Sequence, residues 1–489
     1  MAVRSTAFCN DGYELSTLGL CASRIGSAIA RFSGGAFARP MFQASMVQNV
    51  PAFEISDNTK KQIREVFDKS VHQTRFLLSR FEPWQEFVIP AYLDTSISDG
   101  VSWQLHTLLG MELERQIEND AGFSLLEAQA LCLDLDEAIA IRTRKDLRDG
   151  GDHYDDEVDE GDESQSVIDF SERSVAEGFV SYLVGVVFGR WDVRIALNQA
   201  LLPPPYSFDD PPPACPAGTL FGPNGLPAKS GSIVSEEWLS QRPNGARIPH
   251  PDDVNNPIIE DSEYPTRVHW DGIMVDDNGH DDDLVSRVRD VLAILCKDTD
   301  TEESICTILG CVSLRQYFRK SGNNGFSSDH INRYKAKRGR KAPIYWLLQS
   351  NKKNFALWIY YHRLDSDTIF KTIHYVDTKI QREENHLKEI QSKISSTNSS
   401  SDIRRLERDL EKQEDIIADI QDFADKLREV SELQLKPDLH DGVNLNIAPF
   451  REVAAWKDAN RFWKSLTEGK NAWSSISKQL RKKSLVNRK

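Results

Sequence analysis

Six of the nine residues from Arg333 to Lys341, "RYKAKRGRK", are basic, and the run leads directly into the aromatics of "APIYW". From Arg315 to Lys341 there are nine Lys or Arg against one acid, Asp329. That segment is +8 inside a chain of net charge −15, so the remainder is −23. Basic side chains at this density neutralise phosphates and displace condensed counterions. The rings among them, Tyr317, Phe318, Phe326, Tyr334, Tyr345 and Trp346, offer flat faces to bases or sugars. The spacing marks Arg315, Arg319, Lys320, Arg333, Tyr334, Lys335, Lys337, Arg338, Arg340 and Lys341 as candidate DNA-binding residues. A solvated basic loop accounts for the same charges, and Tyr345 and Trp346, at a strand start, also fit a core.

Covalent chemistry is harder to find. "LPPPY" at 202–206 invites comparison with the Asn/Asp-Pro-Pro-Tyr/Phe motif of amino-methylating DNA methyltransferases. There the first side chain accepts a hydrogen bond from the target amino group while the aromatic stacks on a flipped base. Pro203 stands at that position here and has no such acceptor, so a proline-rich surface loop explains the stretch. "SGGAF" at 33–37 is a turn, with no Gly-rich loop after a strand to hold a cofactor. Between Gly231 and Cys296 there is no Lys, which a nuclease site of the Asp…Glu-x-Lys kind requires, and no Gly-x-Ser-x-Gly elbow occurs. Asp276, Asp277, His280 and Asp282 could be drawn as a metal site, but a turn followed by a helix N-cap also explains each of them. No catalytic or metal-binding residue is assigned.

The elements that must carry these residues can be read from periodicity. A chain of 489 residues, 28% charged and 39% hydrophobic, suits several soluble domains. The longest apolar stretch, "GFVSYLVGVVFG" at 178–189, falls short of the ~20 residues of a membrane span and reads as a buried helix. No secretory signal is evident in the first residues, and seven cysteines without CxxC spacing suit buried thiols in a reducing compartment; a cytoplasmic location is expected. "RVHWDGIMVDDNGHDDDLVSRVRDVLAIL" predicts a strand, a tight turn at Asn278-Gly279 and a helix. Asp281, Asp282 and Asp283 are expected in its first turn, and Leu284, Val288, Val291 and Leu295 along its apolar stripe. "APIYWLLQ" and "NFALWIYYHRL" predict a β-hairpin around "SNKKN".

Further on, Ile369, Ile373, Val376, Ile380, Leu387, Ile390 and Ile394 fall at alternating four- and three-residue steps, with Glu383 the one exception. After "SSTNSSSD", Ile403, Leu406, Leu410, Ile417, Ile420, Ala424 and Leu427 resume the spacing, with Gln413 the exception. Two such helices predict an antiparallel coiled-coil hairpin. Upstream, Asn58 or Thr59 can cap a helix, further helices are expected at 103–117 and 125–141, and the acid-rich 146–163 reads as a disordered linker rather than a calcium loop.

The expected fold class is α+β, predominantly helical and multi-module, with small mixed sheets and the hairpin. Seven segments follow: an N-terminal segment at 1–57, a helical region at 58–145, the acidic linker at 146–172, an α/β module with a Pro-rich loop at 173–300, a basic-aromatic DNA-facing module at 301–365, the coiled-coil hairpin at 366–435, and a Trp-rich C-terminal module with a basic tail at 436–489.

The blocks "VSYLVGVVFGRWDVRIAL", "WDGIMVDDNGHDDDLVSRVRDVL", "LRQYFRK", "KAPIYWLL", "LWIYYHRLDSDTIF" and "PDLHDGVNLNIAPF" resemble, in collinear order, the C-terminal portion of the large adenine-specific DNA methyltransferases of PglX type. These belong to BREX-like phage-defence systems and are similar to type IIG restriction–modification enzymes. "GGAFARPMFQASMVQNVPAF" resembles the end of their target-recognition module, which implies that 1–57 is the tail of a target-recognition-like module. The resemblance implies the DNA-recognition or clamp portion of an N6-adenine methyltransferase, with double-stranded DNA and a catalytic half or other defence-system subunits as partners and no membrane. S-adenosylmethionine and the Asn-Pro-Pro-Tyr motif are then expected in the catalytic half, and no cofactor in this chain. The alternative is an independent DNA-binding specificity or scaffold subunit without enzymatic activity. A self-contained enzyme is a third reading.

Overall fold

The computed structural model describes residues 75–76, 78–94, 171–202, 215–241, 257–334 and 341–485. The readings made on residues 1–57, on the cap at Asn58 or Thr59, on 103–117, 125–141 and 146–163, and on Pro203–Tyr206 lie outside the described residues. By its contacts the chain divides into two compact units, the second comprising Phe81–Leu93, Ser164–Pro203 and Pro213–Lys489. In the first, Arg80 pairs with Asp94 at 2.7 Å and its guanidinium lies over the Phe76 ring. The remaining described residues, from Phe81 to Leu93 and from Ser171 onward, belong to the second unit.

Its centre is helix α1, Glu172–Val187, the apolar stretch that the sequence marks as a buried helix. Ser171 caps it by accepting from the Ser174 amide, and residues Phe179–Val187 are buried on every side. A helix apolar all round needs cover all round. Gly185 allows one such cover to come close. A Cβ there would sit 2.2 Å from Cδ1 of the buried Trp191. Helix α2, Val193–Leu197, strand β1, Ile233–Val234, helix α3, Glu236–Gln241, and strand β2, Ile258–Ile259, follow, with β1 and β2 paired antiparallel.

Strand β3, Ile273–Val275, leads through a turn with Gly279 at φ +83° into helix α4, Leu284–Leu295. Asp281 and Asp282 precede this helix instead of lying in its first turn, and Asp283 is its N-cap, accepting from the Ser286 amide. The stripe of Leu284, Val288 and Val291 is buried as expected, with Leu295 only half-buried. Helices α5, Thr301–Leu309, α6, Leu314–Arg319, and α7, Phe326–Arg333, complete the helical layer, and α4, α5 and α7 pack on α1.

Strands β4, Tyr345–Gln349, and β5, Ala356–Tyr360, form the expected hairpin, whose turn is closed by Ser350 Oγ accepting from the Asn354 and Phe355 amides. The sheet order is β3-β5-β4, all antiparallel, with Ile359 opposite both Ile273 and Trp346. Both hairpin strands are buried nearly throughout, as continuous apolar runs covered on two faces should be. On the free side of β4, the Gln349 amide donates to Val453 O and the Ala455 amide to Leu347 O.

Helices α8, Thr368–Ser396, and α9, Ser400–Glu432, are joined by three residues and run back along each other, with Asp377 paired to Arg428 and Glu383 to Gln413. Val376, Ile417, Ile420, Ala424 and Leu427 are buried near the body, while Ile403, Leu406 and Leu410 toward the tip are half-buried. Helices α10, Val443–Ile447, α11, Asp458–Thr467, and α12, Ser475–Lys482, close the chain around a small core of Leu445, Ala448, Leu466, Ile476 and Leu480. Among the described residues the fold is predominantly helical with small antiparallel sheets, and no helix is long and apolar enough to cross a membrane.

Candidate nucleic-acid interface

Helix α6 places the first basic residues. Ser313 caps it, and Leu314, Tyr317 and Phe318 turn its apolar face into the core. Arg315 and Arg319, one turn apart, emerge on the same flank and converge on Asp276, with Arg315 also reaching Asp283 at 2.6 Å. Asp283 is fully buried, and it receives the Ser286 amide and hydroxyl and the Asp277 amide as well. Burial by itself would raise the Asp283 carboxyl, but hydrogen bonds from Arg315 and Ser286 outweigh it and hold the group below its ordinary value. Arg315 is thus committed to the α4 N-terminus. Lys320, at the end of α6, is exposed and forms no ion pair among the described residues.

Helix α7 places the next pair. The Arg333 side chain is only 5% exposed, donates to Ser174 O at 2.8 Å and lies over the Phe81 ring. Tyr334 receives a hydrogen bond from Arg190, whose guanidinium also pairs with the buried Glu82 at 2.8 Å. His330 Nε2 accepts from both the Ile344 and Tyr345 amides, which leaves the ring proton on Nδ1. Burial, reinforced by Arg190 and Arg333, holds this imidazole well below its ordinary pKa and therefore neutral. The chain is consequently fastened on both sides of the basic run, at Tyr334 and at Ile344–Tyr345. Lys335, Lys337, Arg338 and Arg340 lie outside the described residues. Lys341 is half-buried and forms no ion pair among them.

The interleaved aromatics are placed otherwise than base-stacking would need. Tyr317, Phe318, Phe326, Tyr345 and Trp346 are each at most 1% exposed, so they are core residues. Their signal was available in the sequence, since they fall on the apolar faces of α6, α7 and β4.

The acidic turn between β3 and α4 binds the protein's own cations. Asp277 pairs with Lys379 at 2.7 Å and with Arg382, and Asp282 accepts from Tyr375 at 2.8 Å and contacts Arg267. His269 Nδ1 is 3.4 Å from Asp282. The i,i+4 pair Arg315/Arg319 and the neighbours Lys379/Arg382 carry half of this network's pattern in the sequence. Their partners in the turn lie from 32 to 105 residues away and could not be paired by spacing.

The chain is similar to adenine-specific methyltransferases. It is 26% identical over 200 residues, 38% of its length and 16% of the relative's, to the adenine-specific methyltransferase BrxX of Escherichia coli O9:H4 (strain HS). It is 23% identical over 286 residues, 56% of its length and 19% of the relative's, to the adenine-specific methyltransferase PglX of Lacticaseibacillus casei (strain Zhang). The chain therefore spans less than a fifth of the length of the curated relatives it matches. No model of a protein family matches the chain.

Proposed function

We propose that this chain is a DNA-recognition and clamp portion of an N6-adenine-specific DNA methyltransferase of a BREX-like defence system, acting with a catalytic portion that binds S-adenosylmethionine. The similarity to two adenine-specific methyltransferases carries this reading. Two features support it. Pro203 stands where the amino-contacting residue of a methyltransferase motif would be needed, and the basic run is fastened at both ends by Arg190 and His330. Of the candidate contacts, Lys320, Lys335, Lys337, Arg338, Arg340 and Lys341 are the ones proposed to meet phosphates. Arg319, whose side chain is 46% exposed but paired to Asp276, contributes at most one face.

The test is duplex binding and methyl transfer measured together. The chain should bind labelled duplex with steep salt dependence, incorporate no methyl group from S-adenosylmethionine alone, and support adenine methylation when the catalytic portion is added. Methylation by the chain alone, or no duplex binding at low salt, would overturn the reading.

The α8–α9 hairpin favours one other reading, an independent DNA-binding scaffold. Its tip residues Ile403, Leu406 and Leu410 keep half-exposed apolar groups that a coiled-coil partner could cover. Under that reading the chain binds duplex but never co-purifies with a methyltransferase.

A further inference from the structure

We propose that helix α12 presents a second nucleic-acid contact, taking the phosphate backbone on Lys478, Lys482 and Lys483, with Trp473 just before its N-cap. The proposal rests on the DNA reading above and uses a different part of the chain. From Lys457 to Leu485 there are eight Lys or Arg and two acids, a local charge of +6 in a chain of −15. Both acids have basic partners nearby: Asp458 lies 3.8 Å from Arg461 and Glu468 lies 2.9 Å from Lys470. Lys478, Lys482 and Lys483 are exposed and form no ion pair among the described residues.

The helix is built to hold that charge outward. Ile476 and Leu480 pack with Leu466 in the small C-terminal core, which turns Lys478 and Lys482, one turn apart, toward solvent. Its frame is stiff. Asp441 accepts from the Ser475 and Ile476 amides at 2.7 and 2.8 Å, Ser474 caps the first turn, and Arg481 donates to Gly469 O. A helix held in this way has no backbone left to order on binding, so only the side chains lose freedom.

Favourable interaction with the helix dipole explains basic residues in the last turn, Arg481 and Lys482. It does not explain Lys478, a turn earlier, nor Trp473, which is 61% exposed just before the cap. An exposed indole at the start of a helix that carries unpaired ammonium groups suits a sugar or base face beside a phosphate chain.

The experiment uses the full chain with Lys478→Gln, Lys482→Gln and Lys483→Gln combined, titrated against fluorescent duplex DNA over a range of salt. The expected result is an unchanged melting temperature, a log K against log salt slope shallower by about three units, and at least about tenfold weaker binding at low salt. Trp473→Ala should weaken binding at every salt concentration without changing the slope. Wild-type affinity and slope in the triple variant would overturn the proposal while leaving the DNA reading standing. Failure of the unaltered chain to bind duplex would instead overturn the DNA reading and this proposal with it. If the triple substitution then abolished binding to polyglutamate, the surface would belong to an acidic protein partner.

Discussion

Gln413 donates from its side-chain amide to the Glu383 carboxylate at 2.6 Å and to the Glu383 carbonyl at 3.1 Å. These are the two residues that interrupt the apolar spacing of their helices, and the fold sets them opposite each other. Gln413 is buried, and Glu383 is bonded in turn to Lys379, which reaches Asp277 in the β3–α4 turn. Burial by itself would raise the Glu383 carboxyl, yet Lys379 and Gln413 hold it below its ordinary value. The interruption of each apolar seam is thus half of one polar link, which continues through Lys379 to the β3–α4 turn of the body.

Gln413→Ala should cost about 1–2 kcal/mol, because it removes a buried hydrogen-bond partner from a carboxylate. Replacing both residues by Leu should recover most of that loss, since an apolar pair of similar volume avoids the desolvation penalty. Urea unfolding of the single and double variants measures both. A double variant no more stable than Gln413→Ala would overturn that expectation and show that the polar link contributes more than an apolar pair in its place.

Arg315 and Lys320 should separate structure from binding. Arg315→Met leaves the buried Asp283 without its cation and Asp276 with Arg319 alone, and should cost about 3–5 kcal/mol. Lys320→Met removes an exposed charge and should leave the melting temperature unchanged while lowering duplex affinity. An Arg315 variant that melts like the unaltered chain would refute the buried network.

Stability should fall as pH drops from about 6.5 toward 4. Burial lowers the His269 pKa to about 4, with Asp282 opposing and Arg267 and Arg287 reinforcing, and burial holds His330 well below its ordinary value, reinforced by Arg190 and Arg333. In that window the unfolded chain takes up protons that the folded one refuses, so the folded state loses free energy with each pH step down. The depressed carboxyls of Asp283 and Asp419 extend the loss below pH 4. Thermal melts across this range, with His269→Gln flattening the upper part, test the assignment. A melting temperature constant from pH 7 to 4 would contradict it.

Gly185→Ala should destabilise by about 1–3 kcal/mol or more, because the added methyl meets Trp191 at 2.2 Å and the Tyr345 hydroxyl at 3.2 Å. Trp191 is itself fixed through its indole donating to Glu82 at 3.1 Å. A calorimetric scan of this one variant is sufficient. An unchanged transition would mean that the ring can move aside.

Local pattern determined a good deal. The buried helix around Phe179–Val187, the β4–β5 hairpin about "SNKKN", the β3–turn–α4 unit and the two long helices all follow from residue spacing. Helix and strand periods are properties of a few neighbouring residues, and each of these segments has an apolar face wide enough to set its period. The same pattern placed Tyr317, Phe318 and Phe326 on an apolar face, so their burial was readable too.

What only the tertiary structure decided is which charges are available. In the sequence, Arg315, Arg333 and Lys320 are equivalent members of one basic run. In the fold, Arg315 answers Asp276 and Asp283, Arg333 is enclosed by Ser174, Glu177 and Phe81, and Lys320 remains exposed. β3 joins β5 through Ile273 and Ile359, a pairing that no spacing rule foresees. Partners of this kind are set by packing of distant segments around one core. A charge acquires its role only when that packing brings a carboxylate within reach or leaves water in its place.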